Sequence, residues 1–154
     1  MSLKGSDEMK IKEAIDSADA LQNNNFTPEI KIKWLGELEE KIMNEQFATH
    51  ETLNEYEMRD WILYIRNIFL PLYTDNEETK ESLELDIDEE TELLAPLEFH
   101  GMYTTYLLSK FALHSGEYER HSIFENKFLI EYQEFCNYIN RTYKPLQNNK
   151  IGVS

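Results

Sequence analysis

Five large apolar residues in the last third of the chain recur at spacings of four, four, three and four: Phe124, Phe128, Tyr132, Phe135 and Ile139. That spacing keeps them on one face of an α-helix and on no face of a strand. The pattern predicts a helix over 117–143, which at 1.5 Å per residue is ~40 Å long, the span of a whole small domain. A second helical pattern precedes it from Pro96 to His114, with Tyr103, Tyr106 or Leu107, Phe111 and His114 on the side to be buried. Gly116 lies between the two, where a left-handed residue closes a helix. So short a corner predicts an antiparallel hairpin.

The rest of the chain supplies what packs on that hairpin. Ile11, Ile15, Ala18 and Leu21 predict a helix over 7–22, broken by Asn23, Asn24 and Asn25. Thr27 is a good N-cap and Pro28 suits the first helical position. The helix that begins there has the stripe Trp34, Leu35, Leu38 and Ile42, with Glu37, Glu39, Glu40 and Lys41 on its wet face, and fades near Glu45. Residues 47–56 read as a connection. A further helix over 57–70 presents Trp61, Ile65 and Ile68, widened by Ile62 and Phe69, and is stopped by Pro71. Its apolar arc is broad enough to be central to the core or covered by a partner.

Between Asp75 and Glu92 there are ten acids and one base, Lys80. Such a block repels itself and stays solvated, so 74–92 reads as a mobile acidic loop. The alternation Leu83, Leu85, Ile87 allows one short strand within it. The expected fold is therefore all-α: about five helices in one domain, with the long C-terminal hairpin and an acidic loop. Residues 146–154 form a tail. Residues 1–8 read as a polar, dispensable leader, disordered or foreign to a natural start near Met9.

Charge narrows the function classes. The 154 residues carry 30 acids against 15 bases, a net charge of −15. Such a surface repels phosphate backbones, which disfavours nucleic-acid binding but suits a wall that DNA must pass without sticking. There is no apolar run of ~20 residues to span a membrane. The single cysteine, Cys136, lies within the strongest helical pattern and reads as a buried structural thiol.

Catalytic and metal readings find little footing. His50, His100, His114 and His121 include no pair at i, i+4, and His100 and His114 are fourteen residues apart. His114 and His121 flank the Gly116 corner and are the pair that could approach. The run Asp86-Ile87-Asp88-Glu89-Glu90 begins like a calcium loop. It has Thr91 where the turn needs glycine and Leu97 where the last ligand needs glutamate. Neighbouring acids such as Glu89 and Glu90 have no feature that would drive their pKa values apart. No enzyme activity, cofactor or metal is expected. Aromatics beyond one helical face, among them Tyr118, point instead to subunit contacts.

Three stretches carry a family likeness: Glu92-Leu93-Leu94-Ala95-Pro96, the corner Ser115-Gly116-Glu117-Tyr118, and Tyr138-Ile139-Asn140-Arg141-Thr142-Tyr143-Lys144-Pro145. With the Asn-rich break and Ile32-Lys33-Trp34-Leu35-Gly36-Glu37-Leu38 upstream, the chain over 9–145 resembles the small helical head–tail connector proteins of long-tailed bacteriophages and prophages. It departs from that pattern in the longer apolar helix, Trp61 to Leu72, ahead of the acidic run. The resemblance implies a virion structural protein, in the bacterial cytoplasm during assembly and in the particle afterwards. It would form a ring by self-association, with the portal protein and tail-completion proteins as partners and DNA passing nearby. Asp86, Asp88, Glu89 and Glu90 would then meet partner or lumen, and Trp61, Ile65, Tyr118 and Phe124 would serve packing or interface. The alternative is a small acidic protein that binds a host or phage partner, for instance by mimicking DNA.

Overall fold

The computed structural model describes residues 8–53 and 91–146. The helix expected over 57–70, with Trp61 and Ile65, and the acidic residues Asp86, Asp88, Glu89 and Glu90 lie outside the described residues. What is described is mostly helical. The order is β1 (Glu8–Lys10), α1 (Ile11–Leu21), α2 (Pro28–Ile42), a π-helical turn (Met43–Phe47), β2 (Glu92–Pro96), a 3-10 turn (Leu97–Phe99), α3 (His100–His114) and α4 (Tyr118–Thr142).

The N-terminal leader is shorter than expected. Glu8 and Lys10 pair antiparallel with Pro96 and Glu92 across an irregular register, so the backbone from Glu8 onward belongs to the fold. Helix α1 starts four residues later than the pattern predicts, because the preceding backbone is used in that ribbon. Its start is fixed by Lys10 N donating to Glu13 Oε1 at 3.0 Å and Ile11 N donating to the Thr91 carbonyl at 2.9 Å. Ile11, Ala14, Ile15 and Ala18 are buried. Leu21, expected on the same stripe, is 68% exposed, at the edge of the stripe and at the last position of the helix.

Helix α2 begins as its residues dictate. Thr27 Oγ1 accepts from Ile30 N at 3.2 Å, and Pro28 takes the first position. Trp34, Leu35, Leu38 and Ile42 are buried. The helix does not fade at Glu45 but widens into the π-turn, where Ala48 N donates to the Met43 carbonyl at 2.8 Å. The wider turn lets Met43, Gln46 and Phe47 all face inward. Just beyond it the chain is tied to the end of α4. Glu51 N donates to the Lys144 carbonyl, Leu146 N donates to the Thr49 carbonyl, and His50 Nε2 lies 2.8 Å from Asn140 Oδ1.

The segment 92–96 is a strand rather than loop or helix lead-in, and Leu93, Leu94 and Ala95 are all buried. Three consecutive buried residues mean that both faces of this strand are covered. Glu92, expected as the last residue of the acidic loop, belongs to this strand.

The corner between α3 and α4 is a Schellman turn. Gly116 has φ +78°, Gly116 N donates to the Leu113 carbonyl and Glu117 N to the Ala112 carbonyl. Helix α3 buries Tyr103, Leu107 and Phe111 as expected. His114 is exposed at its C-terminus, though its ring stacks on Trp34 with centroids 5.1 Å apart. Helix α4 buries Phe128, Tyr132, Phe135 and Ile139, four of the five residues that announce it, and the fifth, Phe124, is half-buried against the same core.

Two aromatic groups fill the interior. Phe26 stacks on Phe111 and meets Trp34 edge-on, at 5.6 and 5.2 Å. Phe128 packs between Tyr106 and Tyr132, at 5.2 and 5.7 Å. Such pairs add ~0.5–1.5 kcal/mol each beyond their area. Phe128→Ala should accordingly lower stability by ~3–5 kcal/mol. Urea denaturation measures it, and an unshifted midpoint would show that the ring is not a core element.

Candidate interaction surface

Two polar clusters inside the fold come first, because they determine which faces are left outside. The larger is centred on Glu39, a fully buried acid. Its Oε2 accepts from Leu94 N at 2.7 Å, and its Oε1 accepts from the Tyr103 hydroxyl at 2.7 Å. The same hydroxyl accepts from Ala95 N at 3.1 Å. One carboxylate and one phenol thus join α2, β2 and α3. The helical pattern places Glu39 on the wet face of α2, and that expectation is wrong. Glu39 lies at the edge of the stripe, four residues after Leu35 and three before Ile42, and β2 covers that edge.

The second cluster involves Cys136, which is half-buried against the core rather than the fully buried thiol expected from its helix. Gln46 Nε2 donates to Cys136 Sγ at 3.1 Å and to the Tyr132 hydroxyl at 3.4 Å. Tyr132 donates in turn to Glu45 Oε1 at 2.8 Å. Lys41 Nζ sits 5.0 Å above the Tyr132 ring and 3.1 Å from Glu45 Oε2. Burial, reinforced by the Glu45 carboxylate, pushes both the Tyr132 phenol and the Cys136 thiol above their ordinary ranges. Both are held neutral. A thiol kept protonated is a poor nucleophile and a poor metal ligand.

Each histidine is occupied by a different neighbour. His50 is buried, with Nδ1 at 2.8 Å from the Gln46 carbonyl. His100 Nε2 meets Ser17 Oγ at 3.2 Å. His114 stacks on Trp34. His121 has Nδ1 3.0 Å from the Ser109 carbonyl and Nε2 3.1 Å from Glu125. The pair across the corner, His114 and His121, is thereby committed to separate partners. Among the described residues no group of three His, Cys, Asp or Glu could hold a metal ion, and no helix is long and apolar enough to cross a membrane.

The outside of the hairpin is where large apolar side chains meet solvent. Tyr118 is 67% exposed, Ile123 66%, Ile130 63% and Leu129 52%. Tyr118 stands at the corner beside Glu117, Glu119 and Arg120, which line an open concavity. Arg120 bridges this corner to the end of α1, donating to Gln22 Oε1 at 2.6 Å and to Glu117 Oε1 at 3.3 Å. Of the interface residues expected from the sequence, Tyr118 is out in solvent and Phe124 is half-buried against the core. Trp61 and Ile65 lie outside the described residues, as do the four loop acids. Ile123, Leu129 and Ile130 were not singled out. The signal was present in the sequence: Ile123 and Ile130 are seven apart and on the side of α4 opposite Phe128 and Phe135.

No protein-family model, curated protein or solved structure matches this chain.

Two outcomes are expected from the buried clusters. Glu39→Ala removes the acceptor of the Leu94 amide and of the Tyr103 O–H and should cost ~3 kcal/mol, while Glu39→Gln, which can accept one bond and donate the other, should cost ~1 kcal/mol. Equal, near-zero losses by urea denaturation would show that the cluster contributes nothing. For Cys136 the folded pKa is raised. The stability linked to the neutral thiol is therefore complete below the ordinary thiol range and declines as pH rises through and above it. Iodoacetamide at pH 8 should modify the native chain about tenfold more slowly than the unfolded chain, and equal rates would contradict the burial.

Proposed function

We propose that this chain is a non-enzymatic assembly protein, and specifically a head–tail connector of a bacteriophage or prophage particle. The observation that carries the reading is the α3–α4 hairpin. It is anchored on its inner side by Phe128, Tyr132, Phe135 and Ile139, while Ile123, Leu129 and Ile130 are left in solvent on the same helix. A helix apolar on two sides supports a role in which the second side is covered by protein.

The three stretches that carry the likeness to connector proteins fall at structurally distinct places. Glu92–Pro96 is β2, 115–118 is the Schellman corner, and 138–145 is the end of α4 with the segment that follows it. They are separate parts of one framework, which favours a shared architecture over a single shared peptide. A net charge of −15 suits a ring through which DNA passes without adhering. Ring closure needs two different contact faces on each copy.

The same acidity favours the second reading, a small acidic protein that binds one host or phage protein. Affinity capture of the chain from its source cells after prophage induction, with partners identified by mass spectrometry, separates the two. Portal and tail-completion proteins, with the chain sedimenting in particles, are the expected result. Recovery of a single host protein, with none of the chain in particles, would replace the connector reading with the acidic-binder reading.

A further inference from the structure

We propose that two copies of this chain pair through the outer face of α4, antiparallel about a two-fold axis at Ile130. The inference rests on the composition of that face and is independent of the virion reading.

At ~100° per residue, the side of α4 opposite its buried stripe carries Ile123 and Ile130, both about two-thirds exposed. Asn126, Gln133 and Asn137 lie between and beyond them and are exposed. Four charged residues border this strip, all exposed: Glu119, Lys127, Glu134 and Arg141. Their signs alternate along the helix. On a molecule with a net charge of −15, this is a strip with two acids and two bases. It is a place where a second copy can approach without the repulsion that the molecule as a whole would impose.

The order of the charges selects both the partner and its direction. Glu119 and Arg141 each lie eleven residues from Ile130, on opposite sides, which is ~16 Å along the axis. Lys127 and Glu134 lie three and four residues from it, again on opposite sides. Turning a second copy by 180° about an axis at Ile130 therefore sets Glu119 against the other copy's Arg141, and Lys127 against its Glu134, each pairing occurring twice. Ile130 meets its own equivalent at the centre. A parallel arrangement would instead set each charge against its own kind. Such a contact is isologous and closes at two copies. It is a single pair of helix faces with few apolar residues, so it belongs to the small, weak and salt-sensitive class of interfaces.

Sedimentation equilibrium of the full chain at low salt and neutral pH tests this. The expected result is a reversible dimer that weakens as salt is raised. Ile130→Glu places two carboxylates face to face at the axis and should abolish the dimer. Glu119→Arg and Arg141→Glu should each weaken it by about tenfold, and the two together should restore wild-type affinity, because the pairs are then exchanged rather than lost. All three side chains are exposed, so circular dichroism and the melting temperature should stay as in the wild type. A monomer at every concentration would overturn the proposal, as would a dimer indifferent to Ile130→Glu. Failure of the charge exchange to restore association would overturn it too.

Discussion

The carboxylate of Glu39 is the point at which the fold is joined. It is taken wholly out of water, which costs several kcal/mol unless every lone pair that matters is met. Here the cost is offset by a backbone amide from β2 and a phenol from α3. An apolar residue in its place would leave the amide of Leu94 with nothing to donate to, since β2 is a short strand whose only partner strand among the described residues is β1. The burial of Leu93, Leu94 and Ala95 and the position of the ribbon over α2 both follow from where that carboxylate sits. Buried polar links of this type set register more than they add stability. A strand of five residues, lying against helices rather than within a large sheet, has few other means of fixing its register.

How much of this was legible in the chain depended on whether the information was local. The start of α2 at Thr27 and Pro28, the corner at Gly116 and the inner face of α4 all followed from spacing and from intrinsic backbone preference. Those signals are complete within a few residues. The strand at Glu92–Pro96 was missed because its partner is Glu8–Lys10, more than eighty residues away, and neither half has a strand pattern of its own. Glu39 was assigned to solvent for the same reason. Its neighbours along α2 mark it as an edge position, and only a distant segment decides whether an edge is dry. Leu21 shows the opposite error, an apolar residue counted with a stripe it narrowly fails to join. The π-turn at Met43–Phe47 has no compositional signature, because any helix can widen where packing rewards it. The charged and apolar outer residues of α4 were in plain view but were overshadowed by the stronger inner repeat.

The polar interior also decides what three of the chain's chemically capable side chains do. Cys136, Tyr132 and His50 would be reactive groups in a cleft lined by opposite charge. Here each is spent on holding helices together: the thiol and phenol through Gln46, and the imidazole through Asn140 and the Gln46 carbonyl. Residues that titrate or attack in other settings act here as struts between helices.

The pairing of β1 with β2 has a consequence for synthesis. Glu8–Lys10 cannot find their partner strand until Glu92–Pro96 has been made, and α1 must also await α3, on which it packs. Closing so large a loop carries an entropic cost that grows only slowly with length, so the delay is one of timing rather than of energy. During that interval α1 and α2 lack the α3 surface on which both pack in the finished fold. The folding of this protein is therefore bound to the completion of its C-terminal half. Among the described residues, a chain that stops before α3 keeps α1 and α2 but lacks the helix on which both of them pack.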